Sequence, residues 1–228
     1  MGTATKKMNT LKKIFTLCKG DILVRHGKDQ DITKALNFHI AVVAQPALTQ
    51  NRIPAIFDMV RSLGFSKRLL PCDLTVEKEF NDVWSVFRLN DEMIPAKAAS
   101  IGHIWVCMNE SAKYVHSVGR TSARGTYSVS STVSSFFGDA CFGAKAIHYA
   151  KYLCVNCTGQ PPAELQSGHS GWFSGAICTY LPIALYQTAC RSTALIHNYM
   201  AIDARRALPK DLVNYLNGNP NWAIVDQF

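Results

Sequence analysis

Short apolar runs separated by turn residues fill the first part of the chain, and apolar residues at helical spacing follow. Ile22–Arg25, introduced by the turn residues Lys19-Gly20-Asp21, reads as a short buried strand. Phe38–Ala44 is a second strand, opened by His39 and otherwise apolar. Ala55–Val60 is a third, closed by Ser62-Leu-Gly64, with Lys67–Asp73 expected as a connection. Val83–Arg88 alternates and adds another strand. From Asp91 the period lengthens: Ile94, Ala98, Ile101 and Trp105 predict a helix over 91–108, with Pro95 near its start. An alternative hairpin over 103–119 would have His103–Val106 and Tyr114–Ser117 as its arms. Val133–Phe137, Ala140–Leu153 and Pro209–Leu216 read as helices, and a polar tail is expected after Asn217-Gly218. Alternating strands in one half and helices in the other predict an α+β fold in one domain over 14–228, with 1–13 as a basic arm.

The segment Ser174-Gly-Ala-Ile-Cys178-Thr-Tyr-Leu-Pro-Ile-Ala-Leu-Tyr-Gln187 changes this picture most. A small-residue lead-in delivers a cysteine to the start of an apolar helix, since Pro182 fits best in a first turn. Ile177, Leu181, Ala184, Leu185 and Ala189 would form a buried face behind the thiol. A thiol at a helix N-terminus feels the positive end of the dipole, which favours thiolate. A buried helix that merely contains a cysteine fits the same residues.

Composition narrows the classes. With 48% hydrophobic and 18% charged residues, the 228-residue chain has the profile of a globular protein and not of a disordered one. The net charge of +8 would suit an anionic partner, but Lys and Arg are scattered and accompany no nucleic-acid motif. No run reaches the ~18 apolar residues of a membrane span. Met1–Lys7 has neither a signal-peptide core nor a myristoylation pattern, so the eight cysteines are expected as reduced thiols in a cytosol-like compartment.

A nucleophilic thiol needs a base, and the base needs an orienting group. Among the seven histidines, His39 opens an apolar strand, where its ring can face a cleft. Asp58, inside Ile56-Phe-Asp-Met-Val60, is an acid that must be paired if buried. Adjacent strands would let Asp58 accept the Nδ1–H of His39. A histidine at a strand end is also a common structural residue.

Gly20-Asp21-Ile22-Leu23 followed by His39-Ile-Ala-Val-Val43 resembles the opening of the circularly permuted papain-like superfamily, which includes NlpC-type peptidases, lecithin retinol acyltransferase-like enzymes and YiiX-like proteins. Residues 176–187 are similar to the cysteine helix of the YiiX-like branch, with Thr179 where Ser is usual. Some secreted effectors of intracellular bacteria share the layout. The resemblance covers 20–190 discontinuously. It implies a small antiparallel sheet packed against helices, with Cys178 as nucleophile, His39 as base and Asp58 as its orienter. The implied activity is thiol-dependent hydrolysis of a peptide, isopeptide or ester, or acyl transfer, without cofactor or metal. The implied setting is the cytoplasm or a host cell reached without a classical signal peptide. The N–H of Cys178 would be one oxyanion donor, and Tyr127 or His169 candidates for the second.

Other chemistries compete for some residues. Cys154-Val-Asn-Cys157 could be a redox dithiol, a half zinc site completed by Cys141, His148 or His169, or a pair of ordinary thiols. Cys141 and His148 on one helix would lie roughly 10 Å apart, too far to act as a pair. If the 103–119 hairpin forms, His103 replaces His39 as base. A catalytically silent papain-like module that binds a host or anionic partner through a basic face is the alternative to an enzyme.

Overall fold

The computed structural model describes residues 17–27, 39–46, 54–60, 64–70, 82–118, 142–165 and 178–228. In chain order the elements are β1 (Ile22–Gly27), β2 (His39–Gln45), β3 (Ala55–Val60), β4 (Gly64–Leu69), β5 (Asp82–Leu89) and α1 (Met93–Val118), followed by α2 (Ala144–Asn156), a 3₁₀ turn (Ala163–Leu165), α3 (Tyr180–Cys190), α4 (Thr193–Tyr199), α5 (Pro209–Gly218) and β6 (Trp222–Gln227). All neighbouring strands pair antiparallel, in the order β4-β3-β2-β1-β5-β6. The expected α+β class is what the chain adopts: a six-stranded antiparallel sheet packed with five helices among the described residues.

Alternation along the strands sorts the apolar residues between two cores. Ile22, Val24, Ile40, Val42, Phe57 and Phe87 join the large core with the helices. Leu23, Ala41, Val43, Ile56, Trp84 and Val86 form a smaller core on the other face. Full burial of each large side chain contributes about 1.5–3 kcal/mol, and Trp105, Tyr186, Phe57 and Phe87 carry much of the helix-side core.

Gly20 and Asp21 lock the sheet to the helices. Gly20 has φ +89, and a Cβ there would lie 2.5 Å from the Cβ and carbonyl oxygen of Pro95, so only glycine fits the approach of α1. The buried Asp21 carboxylate accepts both arms of Arg88 on β5, at 2.8 and 2.7 Å, and the Cys18 N–H at 2.6 Å. The backbone around them exchanges hydrogen bonds with Val43, and the Tyr186 hydroxyl of α3 donates to the Gly20 carbonyl at 2.6 Å.

Several expectations need correction. Residues 64–69 form an edge strand where a connection was expected; Lys67 and the exposed Leu69 hid it, although charged residues are usual on edges. The 91–108 helix is longer, running to Val118, and the 103–119 hairpin does not form. Helix α3 is buried on every side rather than along one face, because it lies between the sheet, α1 and α2. The helix expected over 140–153 runs from Ala144 to Asn156. The polar tail is instead β6, which pairs with β5. The basic arm over 1–13 and the 133–137 helix lie outside the described residues.

Candidate functional site

β2 and β3 are adjacent, with Ala41 opposite Asp58, so His39 and Asp58 share one face of the sheet two positions apart across the pair. The His39 Nε2 lies 3.1 Å from Asp58 Oδ2. This corrects the expected contact through Nδ1. The second side chain that acts on the ring is Cys178, through a hydrogen bond and its charge. Cys178 sits two residues before α3 and is 6% exposed. The helix thus begins, as expected, within a residue or two of the thiol. The three residues singled out from the sequence are brought together.

Asp58 has no exposed surface, and an ionised carboxylate there requires compensation. His39 supplies part of it, and β4 adds four further contacts. Ser66, directly opposite Asp58 in register, donates its hydroxyl to Oδ1 at 3.1 Å. Arg68, two residues on and on the same face, spans both oxygens: Nε lies 3.1 Å from Oδ1 and 3.0 Å from Oδ2, and Nη2 also donates to Oδ2. Burial pushes the Asp58 carboxyl up, but hydrogen bonds from His39 and Arg68 and their positive charges win, and it is held below its usual range.

His39 shows the opposite balance. Burial disfavours the imidazolium, yet the hydrogen bonds to Asp58 and Cys178, with the charges of both, raise the ring from 6.5 to about 9. Arg25 on β1 stands opposite both His39 and Trp84 of β5, forming a cross-strand row. The Trp84 ring meets the His39 ring edge-on at 6.4 Å and 79°, and the Arg25 guanidinium lies 5.9 Å from the Trp84 centroid. Trp84 thereby flanks one side of the imidazole. The arrangement can store a proton on His39, hold it against a sulfur, and return it to a group bound beside Cys178.

Ser66, Arg68 and Trp84 were not singled out from the sequence. The alternation of Ser66 and Arg68 around Lys67 is a two-residue period, the one trace of a strand there. Two polar residues of the Cys178 segment have hydrogen-bond partners on other elements. The Gln187 amide donates to the carbonyls of Met200 and Ile202 at 2.9 and 2.6 Å, tying α3 to the segment after α4. The Tyr180 and Tyr149 hydroxyls lie 2.9 Å apart, joining α3 to α2.

The rival sites resolve differently. His103 lies on α1 and packs edge-on against Phe57 at 5.0 Å, hydrogen-bonded to the backbone of Ala44, so it does not replace His39. Burial and the nearby lysines hold its ring below the usual range. Cys154 lies in the last turn of α2, where burial raises its thiol, and the buried Cys157 caps the helix and accepts the Trp105 indole N–H at its carbonyl at 2.8 Å. Among the described residues no group of three His, Cys, Asp or Glu is placed to hold a metal ion. No described helix is long and apolar enough to cross a membrane. Cys141, His169 and Tyr127 lie outside the described residues. Compared with known proteins, the chain matches no family model, no curated protein and no solved structure.

Proposed function

We propose that the protein is a thiol-dependent hydrolase or acyltransferase, with Cys178 as nucleophile, His39 as acid and base, and Asp58 as the group that orients and charges His39. The observation that carries this reading is the placement of one imidazole between a thiol and a fully buried, ionised carboxylate. A structural histidine has no need of both a thiol and a buried carboxylate beside it. The motif resemblance to permuted papain-like enzymes supports the same assignment.

In the reactive form the Sγ proton resides on His39, and the sulfur attacks a carbonyl carbon of the substrate. The positive end of α3, which starts two residues after Cys178, favours the negative charge that builds on sulfur and on the carbonyl oxygen. As the tetrahedral adduct collapses, the bond to the leaving amine or alcohol breaks and the His39 proton passes to it. A thioester remains on Cys178. Water or another acceptor then gives its proton to His39 and attacks the thioester, and the sulfur leaves with a proton. Peptide, isopeptide and ester substrates all satisfy this sequence. A role inside a host cell, or in the cytoplasm of the source cell, rests on the resemblance.

The test is acyl trapping. With p-nitrophenyl acetate the protein should release a burst of p-nitrophenolate and carry acetyl on Cys178, and His39→Ala should lose both. Acetylation spread over the other thiols without a burst would favour a papain-like binding module instead.

A further inference from the structure

The carboxylate that serves His39 is not its alone. Among the described residues, Asp58 on β3 accepts five contacts from three side chains, and three of these come from Arg68 on β4. An Arg68 head group that only tied two strands together could use any acceptor along the edge. This one is turned onto a carboxylate with no exposed surface, beside the ring that faces Cys178, and the Arg68 side chain is itself only 22% exposed. We propose that Arg68 is a positioning residue of this site: by forking both oxygens of Asp58 it keeps the buried carboxylate an anion and acceptor, and it limits how much of that charge reaches His39.

Asp58 meets His39 from β2 and Ser66 and Arg68 from β4. His39 meets Asp58, the Trp84 ring from β5 and Cys178 ahead of α3, with Arg25 opposite it on β1. Among the described cations, only Arg68 makes two-point contact with the carboxylate. Without it, burial would oppose the Asp58 charge with His39 as its main counter-ion. A protonated Asp58 could donate to Nε2, forcing the remaining ring proton onto Nδ1, where it would block uptake of the thiol proton. With Arg68 in place Asp58 can only accept, so the neutral ring keeps its proton on Nε2 and leaves Nδ1 able to take up the thiol proton. The same cation also opposes a second positive charge on the nearby imidazole, so its removal should make His39 hold its proton to higher pH.

This proposal rests on the Cys178–His39–Asp58 reading, and its test is chosen to fail separately. His39 is titrated by ¹⁵N NMR of its ring in the full chain, in Arg68→Gln and in Arg68→Lys, and Cys178 alkylation is followed over the same pH range. In Arg68→Gln the midpoint of His39 and the acid-side inflection that Asp58 imposes on the ring should both move to higher pH, by about one unit or more. Arg68→Lys, which keeps a charge, should return both most of the way. A folded Arg68→Gln protein with both inflections unmoved overturns the proposal, because a mere strand clamp would alter stability and leave them in place. If Arg68→Gln does not fold, the Arg68 Nε–H resonance of the wild-type chain decides: it should follow the ionisation of Asp58, and indifference to it is the overturning result. If wild-type Cys178 alkylates as an ordinary thiol throughout, the nucleophile assignment falls, while the His39 midpoints still judge Arg68.

Discussion

Replacing His39 with Asn should make the stability of the protein lose part of its dependence on pH, in a window set by the site. In the native protein His39 holds its proton up to about 9, against 6.5 in the unfolded chain. Below pH 6.5 the ring is charged in both states and its contacts with Asp58 and Cys178 stabilise the fold in full. Between 6.5 and about 9 the unfolded ring loses its proton while the native one keeps it. The native state then binds more protons, and stability falls as pH rises. At about 1.4 kcal/mol per pH unit, the whole contribution is about 3 kcal/mol. The side chain is only 17% exposed, so solvent screening removes little of it. Guanidinium chloride unfolding of wild type and His39→Asn, under reducing conditions from pH 6 to pH 10, reads the effect of His39 together with the Cys178 thiol coupled to it, because the remaining titrating groups are common to both. The stability gap should be widest at the acid end and narrow by about 3 kcal/mol toward the alkaline end. In a Cys178→Ala background it should narrow less, since the thiol contributes to the rise. A gap that stays constant or widens with pH would refute the reasoning.

Two further outcomes test the frame that carries the site. Asp21→Ala should cost about 2–3 kcal/mol in urea unfolding, at the low end for a buried pair because a third of the Arg88 side chain is exposed, and Arg88→Met should make the two losses markedly less than additive; a loss within the ordinary scatter of surface changes would contradict the lock. Gly20→Ala should destabilise the protein by about 2 kcal/mol or more and lower its melting temperature by more than a surface substitution does, since the new Cβ meets Pro95 at a backbone φ of +89; an unchanged melting temperature would show that α1 can give way.

The candidate site was legible in the sequence where its residues broke a pattern. His39 opened an otherwise apolar strand, Asp58 was an acid within an apolar run, and Cys178 began an apolar helix after a small-residue lead-in. The sheet was legible in β1, β2, β3 and β5, where apolar strands are covered on at least one face. The edges were not. β4 and β6 carry Ser66, Lys67, Arg68, Asp226 and Gln227, and their strand character comes from pairing to β3 and β5 rather than from local preference. Missing β4 meant missing Arg68, the main counter-ion of Asp58 after His39. The Gly20-Asp21 pair was legible as a motif but not as a mechanism: what it does depends on Pro95, Arg88 and Tyr186, each distant in sequence. The all-round burial of α3 is likewise a consequence of its neighbours, which no periodicity within the helix records.

The central claim is that Cys178 is a nucleophile served by His39. Acetyl transfer from p-nitrophenyl acetate, quenched in acid and mapped by peptide mass spectrometry, tests it most directly. Acetyl should accumulate on Cys178 ahead of every other cysteine, be released by hydroxylamine as a thioester is, and disappear in His39→Ala while the fold persists. Equal labelling of Cys178 and the exposed Cys18 and Cys107, unchanged by loss of His39, would contradict the account and leave the buried His39–Asp58–Arg68 cluster as a structural device.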